Sequence, residues 1–571
     1  MSPFLTTHRL HLTPLSPLHI GCGEDFEPTN YVIEDSLLYG FDPSRAALND
    51  QQRGKLMDVA RRGSLAGVQR FFRDNAAAFK PHAHVVMPVC SGVARMYEQR
   101  IGKAANVEAS GNQVFNKLEI ERHVYTGALQ QPFIPGTSFK GALRTAWLDE
   151  LNAERQPHDV EFKRNGEAKS SAALEKRLLQ GDFQTSPLRL LKVADLMPIR
   201  EPEREVLFAV NRKKREVIGR DGVPPKGIAA RKDCVLPGQY RLFAANVTLP
   251  ALLKHVGATD SKGKPATPHA QQLTHQGGVD LHRLAQQSNQ YHLHRLRREL
   301  AVLDGRGLVH PAWKRSIELL LGSQSPLGQK LHTGRAFLVR IGRYGSADSK
   351  TLTGEGVASI KIMGAKGQPP TFESTTKTVW LAAQNDNDQK HLIPFGWAVV
   401  EIDPEGDCAD LQQWCAQQNQ GRPSMAEHRA RLQAERRKAD EHKARLAQEA
   451  AARAETAEAE RVAAEQRAQA LARMTPQAQA IETLRQACAD WAAKLPPHGN
   501  FKKQLADANK LGLYQDATRL VKTALQSPDW SADDKAALAE VLLTHLSQAV
   551  APWDAKEQRK KLQLAQLRGE A

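Results

Sequence analysis

Residues 9–13, Arg9-Leu10-His11-Leu12-Thr13, alternate polar and apolar with a period of two, and Pro14 ends the run. That is the pattern of a strand with one buried face. Tyr31-Val32-Ile33 and Leu37-Leu38-Tyr39 flank Glu34-Asp35-Ser36 and predict a hairpin. Residues 44–79 follow a helical pattern, with Gly54 and Gly63 as interruptions. Residues 92–131 show little clear periodicity, and 137–154 read as helix again. Two apolar runs, 188–194 and 205–210, predict strands separated by Pro198 and Pro202. A basic loop, 211–233, carries Arg212-Lys213-Lys214-Arg215. Further strands are predicted at 240–249, 336–341, 378–381 and 397–402, and helices at 282–303 and 313–321. The tract 259–278 is rich in Gly, Pro and Gln and reads as a mobile loop.

This irregular mixture predicts an α+β fold of two successive units, not a doubly wound parallel sheet. The chain then changes character. Residues 425–475 contain neither Gly nor Pro and hold eleven Lys and Arg against nine Asp and Glu. Glu427/Arg431, Glu441/Arg445 and Glu449/Arg453 are i,i+4 pairs in the favourable direction. Large apolar residues are too sparse for a coiled-coil seam, so a long solvated helix is predicted. Beyond it, Ile481, Leu484, Cys488 and Trp491 share one helical face of a small helical domain. The predicted division is 1–235, 236–410, 411–475 and 476–571.

The 571 residues carry a formal net charge of +16. A surplus of that size favours an acidic partner, most simply nucleic acid, and argues little about fold. Six cysteines include no C-x-x-C pair, which argues against zinc and against a disulfide framework. They read as buried or idle thiols of a reducing cytoplasm. Residues 1–8 lack an apolar signal core, and no apolar run approaches the length of a bilayer span, so a cytoplasmic protein is expected. No cofactor is expected, and no metal: His82/His84 and His292/His294 alternate as ligands could, yet lack a nearby carboxylate or Cys.

Charge matters most where it meets a helix start. In Pro135-Gly136-Thr137-Ser138-Phe139-Lys140-Gly141-Ala142-Leu143-Arg144 a Pro-Gly turn and two hydroxyls precede a helix carrying Lys140 and Arg144. The two cations are four residues apart and so project from one face. Free N–H groups, hydroxyls and cations together suit an anionic backbone. Gly136 permits the tight turn, and Gly141 removes a side chain where a ligand could approach. An ordinary capped helix would carry the same residues. A second glycine-bearing turn is His19-Ile20-Gly21-Cys22-Gly23, directly after the first strand. A third is Arg340-Ile341-Gly342-Arg343-Tyr344-Gly345, where cations and an aromatic suit single-stranded RNA; Lys350 and Lys377 follow.

These residues carry a resemblance. Residues 12–23, then Tyr31-Val32-Ile33-Glu34-Asp35 and Leu38-Tyr39-Gly40-Phe41-Asp42, are similar to the opening of the RAMP superfamily. Residues 134–144 resemble its Pro-Gly-Ser-x-Lys-Gly-x-x-Arg signature, with Thr137 ahead of Ser138. Leu190-Leu191-Lys192-Val193-Ala194-Asp195, 338–342 and Pro394-Phe395-Gly396-Trp397 narrow the likeness to the fifth-subunit family of type III-A CRISPR effector complexes. It covers residues 10–402, patchily between 155 and 332. Arg343-Tyr344-Gly345 departs from the usual Gly-Trp-Gly type of loop, and the segment after Met425 is longer than that family leads one to expect.

The resemblance implies two ferredoxin-like (RRM-like) units followed by an all-α extension. It implies a noncatalytic crRNA-binding subunit that caps the backbone filament near the crRNA 3′ end. The partners implied are crRNA, other RAMP subunits, target RNA and a host nuclease. The RNA-binding residues expected are His19, Gly21, Gly23, Gly136, Ser138, Lys140, Arg144, Arg340, Arg343 and Lys377. Two alternatives stand beside this reading. One is a metal-independent endoribonuclease using His8, His11 or His19, or an Asp counterpart at Asp195. The other is an interaction protein working through its C-terminal helical arm.

Overall fold

The alternation at residues 9–13 is a central strand. Leu5–Pro14 lies between Phe243–Pro250 and Trp397–Ile402, antiparallel to both, and Ala336–Arg340 flanks the last of these. Leu10 and Leu12 are fully buried. They share a core with Phe139 and Leu143 of the helix Gly136–Asn152, Leu284 of the helix Leu281–Gly305, and Phe337 and Val400. A second sheet runs Gly21–Phe26, Ile120–His123, Ala229–Val235, Arg204–Lys213, Thr378–Ala383 and Ile393–Pro394. Ile120–His123 and Ala229–Val235 are parallel, and the other neighbours antiparallel. The predicted hairpin is present as Tyr31–Glu34 and Leu37–Phe41, extended by Ala83–Pro88.

The computed structural model describes residues 5–46, 48–107, 113–127, 130–153, 155, 171–179, 187–217, 227–250, 262–263, 279–354, 357–364, 367–422, 424–493, 512–550 and 553–570. The tract 259–278 lies outside them except for 262 and 263. Two compact units emerge, Met1–Asp440 and Glu441–Ala571. The first is α+β. Its sheets do not respect the predicted boundary at 235/236: residues 5–14 pair with 243–250 and 397–402, and 204–213 pairs with 378–383. The reason is burial, since Leu10 and Leu12 are covered only when strands from both halves close around them.

Three local expectations change. Residues 188–194 are not one buried strand but a helical turn, Pro187–Arg189, and a two-residue edge strand, Lys192–Val193. Leu188 and Leu191 are buried three residues apart, a turn's spacing. The basic loop is trimmed at both ends, because Arg204–Lys213 and Ala229–Val235 extend into it as paired strands. Residues 91–100, without clear periodicity, form a helix, Ser91–Arg100. The helix Met425–Ala472 is present, with only Met425 and Leu432 buried along it. In the second unit Cys488, Val521, Leu538, Leu542 and Leu546 form a separate core, and its described residues are helical or unstructured.

Candidate functional site

The three glycine-bearing motifs meet at one cleft. A cavity of about 790 Å³ is lined by Gly21 and Gly23, by Thr137, Ser138, Gly141 and Arg144, and by Arg340, Ile341, Gly342 and Arg343. The sheet register builds it: Gly21–Phe26 pairs with Ile120–His123, and the helix start Gly136–Asn152 follows the short strand Gln131–Pro132. Gly23 (φ +85°) and Gly141 have open space where a Cβ would stand. Both therefore offer the bare backbone that a close-approaching strand needs. Ser349 and Lys350 close one rim.

Of the ten expected residues, Gly21, Gly23, Ser138, Arg144, Arg340 and Arg343 line this cleft, whereas His19, Gly136, Lys140 and Lys377 are not among its lining. Arg343 is the most open of the cations, with its side chain 75% exposed and 3.9 Å from Glu121. Arg144 is half-buried and paired with Glu175. Arg340 is spent internally: its guanidinium pairs with Glu299 at 2.9 Å, donates to the Phe395 carbonyl and packs over Trp397. Lys377 pairs with Glu373 at 2.9 Å, one helical turn's sequence spacing away.

Gly136, Lys140 and His19 have other duties. Gly136 is buried, and its N–H donates to Asp195 at 2.7 Å. A Cβ there would stand 2.8 Å from the Val193 and Ala194 carbonyl oxygens, so the glycine admits the chain's own backbone. Asp195 is thereby a helix-capping group. Lys140 does not share the cleft face with Arg144, because its ammonium donates to the Leu191 carbonyl at 2.8 Å. Burial, then Lys192, lowers its pKa. His19 is buried behind the cleft with Nδ1 donating to the Asp233 carbonyl at 2.8 Å.

These glycines separate in a stability measurement. Gly136→Ala should cost roughly 1–3 kcal/mol, since backbone atoms must shift. Gly141→Ala, mid-helix with nothing nearby, should gain roughly 0.5–1 kcal/mol. Urea midpoints of the two variants on the same side of wild type would contradict the assignment.

Sequence reasoning missed the floor of the cleft. Glu121 lines it and is held by Lys232, whose side chain is wholly buried. The Tyr344 hydroxyl donates to Glu121 at 3.4 Å, and the His19 ring lies 3.7 Å away. The His19 ring, and after it Lys232 working against burial, hold the Glu121 carboxyl at about 2. Beneath these, Arg204 and Asp233 form a buried pair, and Asp233 also accepts the His123 N–H at 3.1 Å. Burial drops the His123 pKa to about 4. On one rim, Arg122 pairs with Glu24 at 3.2 Å and packs over Phe26 and Tyr125. The usable signal was charge inside strand sequence: Ile120-Glu121-Arg122-His123 and Arg231-Lys232-Asp233-Cys234 put ionisable groups where a half-buried strand carries apolar ones.

The other nucleophilic and basic candidates lie elsewhere. His8 pairs with Asp403 at 2.6 Å, and burial lowers the His11 pKa. The His292 ring is fully buried, which drops its pKa to about 3. The six cysteines are free thiols, and Cys22 alone among them is exposed. Among the described residues no three His, Cys, Asp or Glu gather as a metal site. Among them, too, no helix is long and apolar enough to cross a membrane.

Residues 11–251 match the RAMP superfamily. A protein of Methanocaldococcus jannaschii described as CRISPR system Cms protein Csm5 is 23% identical over 199 residues, which are 32% of this chain and 40% of that protein. The chain thus spans about 40% of the length of the curated relative it matches. Among solved structures, a chain of a Csm–crRNA–target RNA ternary complex of a type III-A CRISPR-Cas system is 16% identical with a TM-score of 0.40. That alignment covers 69% of this chain and 100% of the other. Csm5 of T. onnurineus is 16% identical with a TM-score of 0.37, over 68% of this chain and 99% of that one.

Proposed function

We propose that this chain, a Csm5-like RAMP protein matched over residues 11–251, is a noncatalytic crRNA-binding subunit of a type III CRISPR effector complex. In this reading its two sheets are the halves of a ferredoxin-like pair, and it caps the backbone filament near the crRNA 3′ end. The observation that carries the reading is convergence. Three motifs more than a hundred residues apart place bare glycines, a helix start and cations around one cleft. Arg343, Lys350 and Arg144 would meet phosphates, while Gly23 and Gly141 let the sugar-phosphate chain approach. Endonuclease chemistry is not favoured: His8 is engaged with Asp403, and His19 is buried behind the wall. The charge-balanced helical unit after residue 440 serves as an attachment for a protein partner.

The test is RNA affinity against salt. Arg343→Ala with Lys350→Ala should weaken binding of short single-stranded RNA by tenfold or more and flatten the log–log salt slope by about one for each phosphate no longer neutralised. Lys140→Ala should leave the slope as it is. An unchanged slope in the double variant removes the cleft from the RNA path.

A further inference from the structure

The helix-start wall of the cleft offers hydrogen-bond donors, but the opposite wall is acidic. Asp25 stands opposite Glu121, and Glu121 opposite Lys232, so three charges form one row across adjacent strands. The row runs from the buried Lys232 outward to Asp25 at the sheet edge, and both carboxylates line the cleft. Glu121 is occupied by Lys232, the Tyr344 hydroxyl and, at 3.9 Å, Arg343. Asp25 has no ion-pair partner among the described residues, and burial, then Glu121, pushes its pKa up. The His19 side chain is wholly buried behind the same wall, with Nε2 3.7 Å from the Glu121 carboxylate, so Glu121 is also held from the interior. Nε2 lies 3.6 Å from where a Cβ on Gly21 would stand, directly behind the cleft lining.

A free carboxylate beside a nucleic-acid strand repels every phosphate near it. It is stabilised only where the strand presents a donor. The backbone of DNA presents none; that of RNA presents one per nucleotide, the 2′-hydroxyl. Resting on the RNA-binding reading above, we infer that Asp25 accepts the 2′-hydroxyl of a bound ribonucleotide and so sets the preference of this cleft for ribose over deoxyribose. Arg343, Lys350 and the helix start hold the phosphates, and the missing side chains at Gly21 and Gly23 make room for the sugar. Asp25 is the specificity-determining residue because Glu121 is already taken.

The experiment compares binding of short oligouridylate and oligodeoxyuridylate by the full chain. The base presents the same groups in both, so only the sugar differs. Wild type should prefer the ribo-oligomer by about tenfold, the worth of one charge-assisted hydrogen bond. Asp25→Ala should erase that ratio from both sides, weakening the ribo-oligomer and, with the negative charge gone, tightening the deoxy one. Asp25→Asn, which keeps an acceptor oxygen without the charge, should retain part of the preference while binding both polymers more tightly. An unchanged ratio in Asp25→Ala, with RNA still bound, overturns the assignment, as does a wild type that binds both polymers equally. A wild type that binds neither overturns the RNA-binding reading itself.

Discussion

Asp233→Ala should cost about 3–5 kcal/mol of folding free energy, the largest loss expected from any single change beneath the cleft. The Asp233 side chain has no exposure, and that of Arg204 has 7%. Arg204 Nε donates to one carboxylate oxygen at 3.1 Å, its terminal nitrogen binds the other, and the His123 N–H completes the set. Removing the carboxylate leaves a guanidinium and a backbone N–H buried without their acceptor, which costs more than the pair contributes. Replacing both partners, as in Asp233→Leu with Arg204→Leu, should therefore restore part of the loss. A urea-unfolding cycle measures both terms. Asp233→Ala within about 1 kcal/mol of wild type would sink the account.

The same floor makes stability depend on pH. Burial alone would push the Asp233 carboxyl up, but Arg204 and His123 bring it below the usual carboxylate range. Glu121 is likewise held down, at about 2. Both groups bind protons less readily folded than unfolded, so both lose their contribution as the pH falls; that of Glu121 is complete above its ordinary value of 4.5 and is lost as the pH falls toward 2. Acid should loosen the cleft before it unfolds the C-terminal unit, whose core holds no such buried pair among its described residues.

What could be read in advance follows the range of each signal. The hairpin at 31–41 was legible because strand, turn and strand are contiguous; its turn residues Asp35 and Ser36 take φ of 51° and 58°, left-handed positions that short polar side chains tolerate. The helix Leu281–Gly305 showed itself in the pattern over 282–303, and in the structure Asp280 caps its start. Ser91–Arg100 did not, because Cys90 precedes it and makes no side-chain cap. The signature stretch gave the helix start and both glycines, but not which way Lys140 would turn; that depends on the Leu191 carbonyl from another part of the chain. The row Asp25–Glu121–Lys232 was out of reach for the same reason, as a register between distant strands leaves no local trace. The boundary at 235/236 failed because the first strand's partners come from beyond it.

A protein ending at residue 440 should unfold at the same urea concentration as the N-terminal unit of the whole chain, whereas one ending at residue 424 should lose roughly 3–6 kcal/mol, the burial of two apolar side chains at 1.5–3 kcal/mol each. Although the arm helix is solvated along most of its length, its first turns belong to the N-terminal unit. Met425 joins the core that holds Trp414 and Trp397, and Leu432 joins Phe41, Phe72 and Phe79. The Met425 N–H donates to Glu203 at 2.9 Å, and Arg436 donates to the carbonyls of Pro81 and Ala83. Exposed pairs such as Arg431–Asp35 at 3.0 Å add little. The predicted boundaries at 410/411 and 475/476 therefore miss the break between the compact units, which falls after residue 440. Because the cleft residues all precede 351, the protein ending at 440 should bind RNA with the affinity and salt slope of the whole chain. Equal urea midpoints for the two truncations would show that Met425 and Leu432 contribute nothing. A loss of RNA affinity in the longer one would move part of the RNA path into the helical unit.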